Sequence, residues 1–131
     1  VNNLVDFMTH DQHFDISLPI PLIGSYIAAR YKALAAIKGV QQIYAFGHVA
    51  DGNIHFMIGK ENLSVALKKE IDHCIYDRLQ EIGGSVSAEH GIGTHKKAYL
   101  ELCRTTEEIA LMRSLKSCMD PKGLLNPGKI F

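Results

Sequence analysis

Residues 43–58 read Ile43-Tyr44-Ala45-Phe46-Gly47-His48-Val49-Ala50-Asp51-Gly52-Asn53-Ile54-His55-Phe56-Met57-Ile58. Apolar residues alternate on both sides of Asp51-Gly52, and a period of two marks half-buried strands. Asp-Gly between two such runs signals a hairpin, because a tight turn needs positive φ. The reading is a strand from Val40 to Val49, a turn at Asp51-Gly52 and a strand from Ile54 to Ile58. A symmetric turn sets His48 opposite His55 and Phe46 opposite Met57, with opposed Cβ atoms ~5 Å apart. The other face of the hairpin holds Ile43, Ala45, Gly47, Val49, Ile54, Phe56 and Ile58, an apolar set suited to lie under helices.

Working outward, Phe14, Ile16 and Leu18 alternate with Asp15 and Ser17, which predicts a first strand. Leu22 to Lys38 carries Leu22, Ile23, Tyr26, Ile27, Leu34 and Ile37 at helical spacing, and Gly39 suits the left-handed stop. A second helix is expected from Ser64 to Ile82, with Leu67, Ile71, Ile75, Leu79 and Ile82 on one stripe and Gly83-Gly84 ending it. Ser85 to Glu89 reads as a fourth short strand. Thr105 and Glu108 fit a capping box for a last helix ending near Met119, and the tail from Asp120 to Lys129 is turn-rich. This order predicts an α+β fold, a ferredoxin-like split βαβ sandwich. Its four-stranded antiparallel sheet carries two helices on one face, with an extra C-terminal helix and an irregular tail. One domain over residues 14–131 follows a flexible polar lead-in over 1–13.

Composition narrows the function. Lys plus Arg and Asp plus Glu both number 14 in the 131 residues, so no basic field is available for a nucleic-acid backbone. Three cysteines without CxxC spacing read as reduced thiols of an intracellular protein. No apolar run reaches the ~20 residues of a membrane span, and no signal peptide is visible. The expected location is cytoplasmic, with a peripheral seat at the inner membrane as the other reading. The chain begins at Val1 without an initiator Met, so further coding sequence upstream is an expectation.

Across the four expected strands one face is apolar. The opposite face collects Ser17, His48, His55, Ser87 and Glu89. Tyr44, Phe46 and Met57 share it, which suggests a covering domain or partner. Two neutral imidazoles and a carboxylate suit Zn²⁺, and also Mn²⁺ or Fe²⁺. Three ligands leave room for a substrate oxygen. Glu89 is joined to the histidines only by shared face, so two surface histidines and a solvated Glu remain the competing reading. His90 reads as a base, a ligand or a structural residue. Gly91-Ile92-Gly93 is too short for a phosphate loop. Cys74, Cys103 and Cys118 read as small hydrophobes, His95, Lys96 and Lys97 as a solvated basic cluster, and His10 and His13 carry no assigned role.

Three segments together carry a resemblance. Gly47-His48-Val49-Ala50-Asp51-Gly52-Asn53-Ile54-His55 resembles the Gly-His-x-Gly-Asp-Gly-Asn-x-His stretch of the C-terminal domain of FAD-linked oxidases. That group includes D-lactate dehydrogenase, glycolate oxidase subunit and D-2-hydroxyglutarate dehydrogenase. Ser87-Ala88-Glu89-His90-Gly91-Ile92-Gly93 with Lys96 resembles its second signature, and Met112-Arg113 through Lys129 its C-terminal one. The resemblance spans roughly residues 14 to 131. It implies a cap on a flavin domain, with metal ligands at His48, His55 and Glu89. His90 is implied at the substrate as the base for the hydroxyl proton, Asn53 at the substrate or turn, and Asn126 near the isoalloxazine of FAD. The implied partners are a small 2-hydroxy acid and a flavin-binding domain, in cis or as a subunit. Ala50 departs from the pattern at a Gly. Met57 stands where some members place a substrate-touching Asn, which favours a smaller or less polar substrate. The flavin-binding half has no counterpart in these residues, so the chain alone is not expected to hold FAD tightly or turn over. The alternative is a free-standing, non-catalytic ferredoxin-like module that binds metal or a partner.

Overall fold

The computed structural model describes residues 8–131. Three strands, β1 (His10–Ser17), β2 (Val40–Phe46) and β3 (Asn53–Lys60), form an antiparallel sheet in the order β1-β3-β2. Helices α1 (Ile23–Ala35) and α2 (Val65–Tyr76) follow β1 and β3, and α3 (Thr106–Met119) follows a 3-10 segment, Lys97–Leu102. No helix among the described residues is long and apolar enough to cross a membrane.

The apolar face is as expected except at Val49, which lies in the connecting turn and is 54% exposed. Phe14 and Ile16 of β1 and Ile54, Phe56 and Ile58 of β3 share one buried cluster with Leu34 of α1 and Leu67, Ile71 and Ile75 of α2. Burying such side chains contributes roughly 1.5–3 kcal/mol each. A polar network closes one end of this layer. Asp72 accepts from Gln12 Nε2 and Tyr99 Oη, both at 2.6 Å, and pairs with Lys68. Lys60 donates to Gln12 Oε1 at 3.1 Å. Four elements are thereby tied together, and their buried polar groups are satisfied, as burial requires.

Four expectations change. Residues 1–7 of the expected lead-in lie outside the described residues, and β1 already begins at His10.

The hairpin register differs. Phe46, not His48, faces His55, and Tyr44 faces Met57. The connection is wider than a tight turn: a 3-10 turn, Val49–Asp51, ends at Gly52 with φ 72°. Gly47 sits at φ 151°, where a Cβ would run into the Asn53 carbonyl. The shift is two residues, so each side chain keeps its face, but His48 is moved off the strand.

The expected helix over 64–82 stops at Tyr76: Asp77 leaves helical geometry at ψ 131°, and Arg78 then turns left-handed at φ 62°. The Gln80 N–H then bonds the Leu102 carbonyl instead of continuing the helix.

Finally, the four-stranded sheet is three-stranded among the described residues. The expected strand Ser85–Glu89 is reduced to one bridge, Ser17 to Ser85. Its later amides bond a side chain, Asp15, rather than a ladder.

That last change positions the site. The order β1-β3-β2 leaves β1 at an edge, and open edges invite unwanted pairing. Here residues 85–96 fold back over it. Ser17 and Ser85 exchange N–H···O bonds, and Lys96 Nζ caps the Asp15 carbonyl at 3.0 Å. The chain therefore supplies part of the cover expected over its polar face. Asp15 and Met57 are fully buried on that face.

Candidate metal and substrate site

β3 is the central strand, and its register places Asp15 of β1 on one side of His55 and Phe46 of β2 on the other. The Phe46 ring lies 5.6 Å from the His55 ring, which holds the imidazole against an apolar wall. Gly47 and the following turn carry His48 outward. Segment 85–96 brings Glu89 and His90 in from the β1 edge.

The residues converge. One donor atom from each of His48, His55 and Glu89 lies within 4.8 Å of the other two. His48 Nδ1 is 3.5 Å from Glu89 Oε1, and Asn53 Nδ2 donates to the same oxygen. His48 and Glu89 are exposed and His55 is half-buried, so the site opens outward. The His90 ring stands 5.8 Å from that of His55, on the rim. Asn53 itself is buried, and its Oδ1 has no partner. A cleft of about 340 Å³ runs beside Glu89, lined by Asn53, Asp51, Ser17 and Arg104 among others. This size suits a small ligand.

Asn126 is not brought into this cluster by any hydrogen bond among the described residues. It lies exposed in the tail at φ 48°. The tail does return toward the site, because the Ile130 N–H bonds the Gly93 carbonyl at 2.9 Å.

Sequence reasoning missed Asp15. Its Oδ2 accepts the N–H groups of Ala88, Glu89 and His90 at 2.9–3.1 Å and the Ser87 hydroxyl at 3.1 Å. Lys96 Nζ stands 3.6 Å away. Burial alone raises a carboxyl's pKa. The His90 and Glu89 amides, the Lys96 charge and the Ser87 hydroxyl outweigh it and hold Asp15 at about 2. The sequence places Lys96 in a solvated cluster. Its Nζ is instead drawn inward, and burial lowers its pKa despite the facing carboxylate. The available signal was an acidic residue in the middle of an apolar strand. Its partner His55 becomes visible only once β1 is known to pair with β3.

The donor set fits a divalent ion. It offers two imidazoles and a carboxylate, and a fully buried Asp15 Oδ1 without a partner lies 3.9 Å from His55 Nδ1. The same residues do not fit a flavin pyrophosphate. Gly91-Ile92-Gly93 leads into a 3-10 segment and not into the α-helix N-terminus that binds such a group.

The family profile described as FAD linked oxidases, C-terminal domain, matches residues 10–130. This chain belongs to that family. Relatives agree. D-2-hydroxyglutarate dehydrogenase of Xanthomonas citri pv. viticola is 39% identical over 122 residues, covering 89% of this chain and 26% of the relative. The mitochondrial D-2-hydroxyglutarate dehydrogenase of Danio rerio is 34% identical over 129 residues, 96% of this chain and 24% of the relative. The D-2-hydroxyglutarate-pyruvate transhydrogenase of Saccharomyces cerevisiae is 37% identical over 123 residues, 88% of this chain and 25% of the relative. This FAD-linked oxidase C-terminal domain thus spans about a quarter of the length of the curated relatives it matches.

Proposed function

We propose that this chain is the substrate-capping, metal-binding part of an FAD-dependent D-2-hydroxy-acid dehydrogenase of the lactate, glycolate or 2-hydroxyglutarate class. The reaction oxidises the 2-hydroxyl to a 2-oxo group. The observation that carries the reading is the convergence of His48, His55 and Glu89 within 4.8 Å in a member of this family. The relatives' names favour D-2-hydroxyglutarate within that class.

His48, His55 and Glu89 would hold the ion, with Zn²⁺ the first candidate and the open side left for substrate. When bound, the ion supplies Lewis acidity toward the substrate's oxygens. Asn53 holds the Glu89 carboxylate through Nδ2 and lines the cleft beside it, where it would meet the substrate. His90, exposed on the rim, takes the hydroxyl proton at an imidazole nitrogen. FAD is assigned to a flavin-binding domain, in cis or as a subunit, against which Asn126 in the tail would lie. The cytoplasm, with a peripheral inner-membrane seat as the other reading, is the expected place of action.

The test is a Zn²⁺ titration of the purified chain against a chromophoric chelator. His48→Ala, His55→Ala and Glu89→Ala should each weaken binding at least about tenfold, as loss of one of three ligands implies. Equal affinity in the wild type and His55→Ala overturns the site. A longer protein containing this chain, assayed with an acceptor dye and a panel of D-2-hydroxy acids, should lose turnover on chelation. Full turnover after complete metal removal contradicts the assignment.

A further inference from the structure

We propose that Asp15 is the positioning residue for both halves of this site. Its Oδ2 pins the backbone that carries Glu89 and His90, and its Oδ1 fixes the tautomer of His55.

The two oxygens of this carboxylate are in unlike circumstances. Oδ2 is saturated. Three consecutive amides, of Ala88, Glu89 and His90, and the Ser87 hydroxyl all donate to it. These donors make the segment curl around one anion where a fourth strand would otherwise form, and the curl delivers Glu89 to His48 and Asn53. Oδ1 is fully buried and without a partner, a costly state for a charged oxygen. The imidazole nitrogen that faces it is Nδ1 of His55, 3.9 Å away. His90 Nδ1 approaches the other oxygen, at 3.8 Å, where four donors already compete. A closure of about 1 Å gives Oδ1 a charge-assisted bond of ordinary length. Proton placement at Nδ1 leaves the Nε2 lone pair bare, the form in which an imidazole ligates a metal. One buried anion thereby orients a ligand on β3 directly and a ligand and a base on segment 85–96 through their backbone. The consequence for the ion rests on the proposed function; the tautomer does not.

The experiment reads both separately. In metal-free chain with ¹⁵N-labelled histidine, above about pH 8 where ordinary imidazoles are neutral, His55 should appear as the Nδ1–H tautomer. Its signal is assigned by its loss in His55→Gln. Asp15→Asn should shift His55 toward Nε2–H. A wild-type His55 that is Nε2–H overturns the proposal without any variant, so an Asp15→Asn chain that fails to fold does not shield it. An unchanged tautomer in folded Asp15→Asn overturns it equally. Zn²⁺ affinity of folded Asp15→Asn should fall ~10–100-fold, as for lost orienting partners of metal ligands, while Asp11→Asn on the same strand stays at the wild-type value. Unchanged affinity in Asp15→Asn contradicts the coupling to the ion. A wild type that binds no Zn²⁺ refutes the metal reading and leaves the tautomer result to decide the role of Asp15.

Discussion

Gly47 holds φ at 151°, and a Cβ there would meet the Asn53 carbonyl. Both obstacles are backbone, so neither can swing aside. Gly47→Ala should therefore destabilise the fold by about 1–3 kcal/mol in urea titrations and weaken Zn²⁺ binding, since the loop that carries His48 must move. The residue scale is also where the sequence is most informative about chemistry. His55 could be given its face from alternation alone, and an error of two residues in register preserves that face, whereas His48 lies off the strand and reaches the site through the turn after Gly47. Glu89 could be joined to them only by shared face. Its approach depends on Asp15, whose burial is produced by a segment more than seventy residues away. No local pattern around Asp15 encodes that contact. Met57, where the family resemblance suggests contact with substrate, is fully buried, and its side chain is shielded from any ligand in this arrangement.

Elements were legible where the signal is chemical and local. Thr105 accepts from the Glu108 amide and Glu108 from the Thr105 amide, the reciprocal cap that the sequence predicts for α3. Thr105→Ala should cost about 1 kcal/mol, read as a shift in the denaturant midpoint with an unchanged slope. Ends set by tertiary contacts were not legible. α2 stops at Tyr76 although its apolar stripe continues to Leu79, because the backbone beyond it is bonded to Leu102. The strand expected at 85–89 fails for a related reason: its donors find a side chain. Past the end of α3, Asp120 accepts from the Leu124 and Leu125 amides and pairs with Lys116. The Lys116 ammonium, then the Leu125 amide, hold its pKa at about 2. A carboxylate depressed in the folded state contributes its stabilisation above its unfolded value near 3.8 and loses it as pH falls through about 2. Hydrogen exchange at the Leu124 and Leu125 amides, corrected for its intrinsic pH dependence, should lose protection between pH ~4 and ~2, before the core amides of β3 do. Protection that holds to the lower limit contradicts this role for Asp120.

At the scale of the whole molecule, the alternation of apolar and polar residues fixed two faces and placed both helices on the right one. Ile71 is fully buried between α2 and the sheet. Ile71→Ala should cost ~2–5 kcal/mol, depending on how far the neighbours relax, in the same urea measurement. The strand count was the part that alternation could not supply, because a period-two pattern is equally compatible with a strand and with an extended segment wrapped around an anion.

The closing of segment 85–90 onto Asp15 also has a kinetic side. The four bonds to that carboxylate span 72 to 75 residues of chain, whereas His48 and His55 belong to one hairpin. Bringing distant residues together costs entropy that only later contacts repay. The order of events during folding should follow: the histidine pair meets early, and the carboxylate of Glu89 arrives last. A nascent chain would then offer an ion only two imidazoles, and full affinity would appear in the final step. In stopped-flow refolding with a Zn²⁺-sensitive dye, capture of the ion should coincide with the slowest phase.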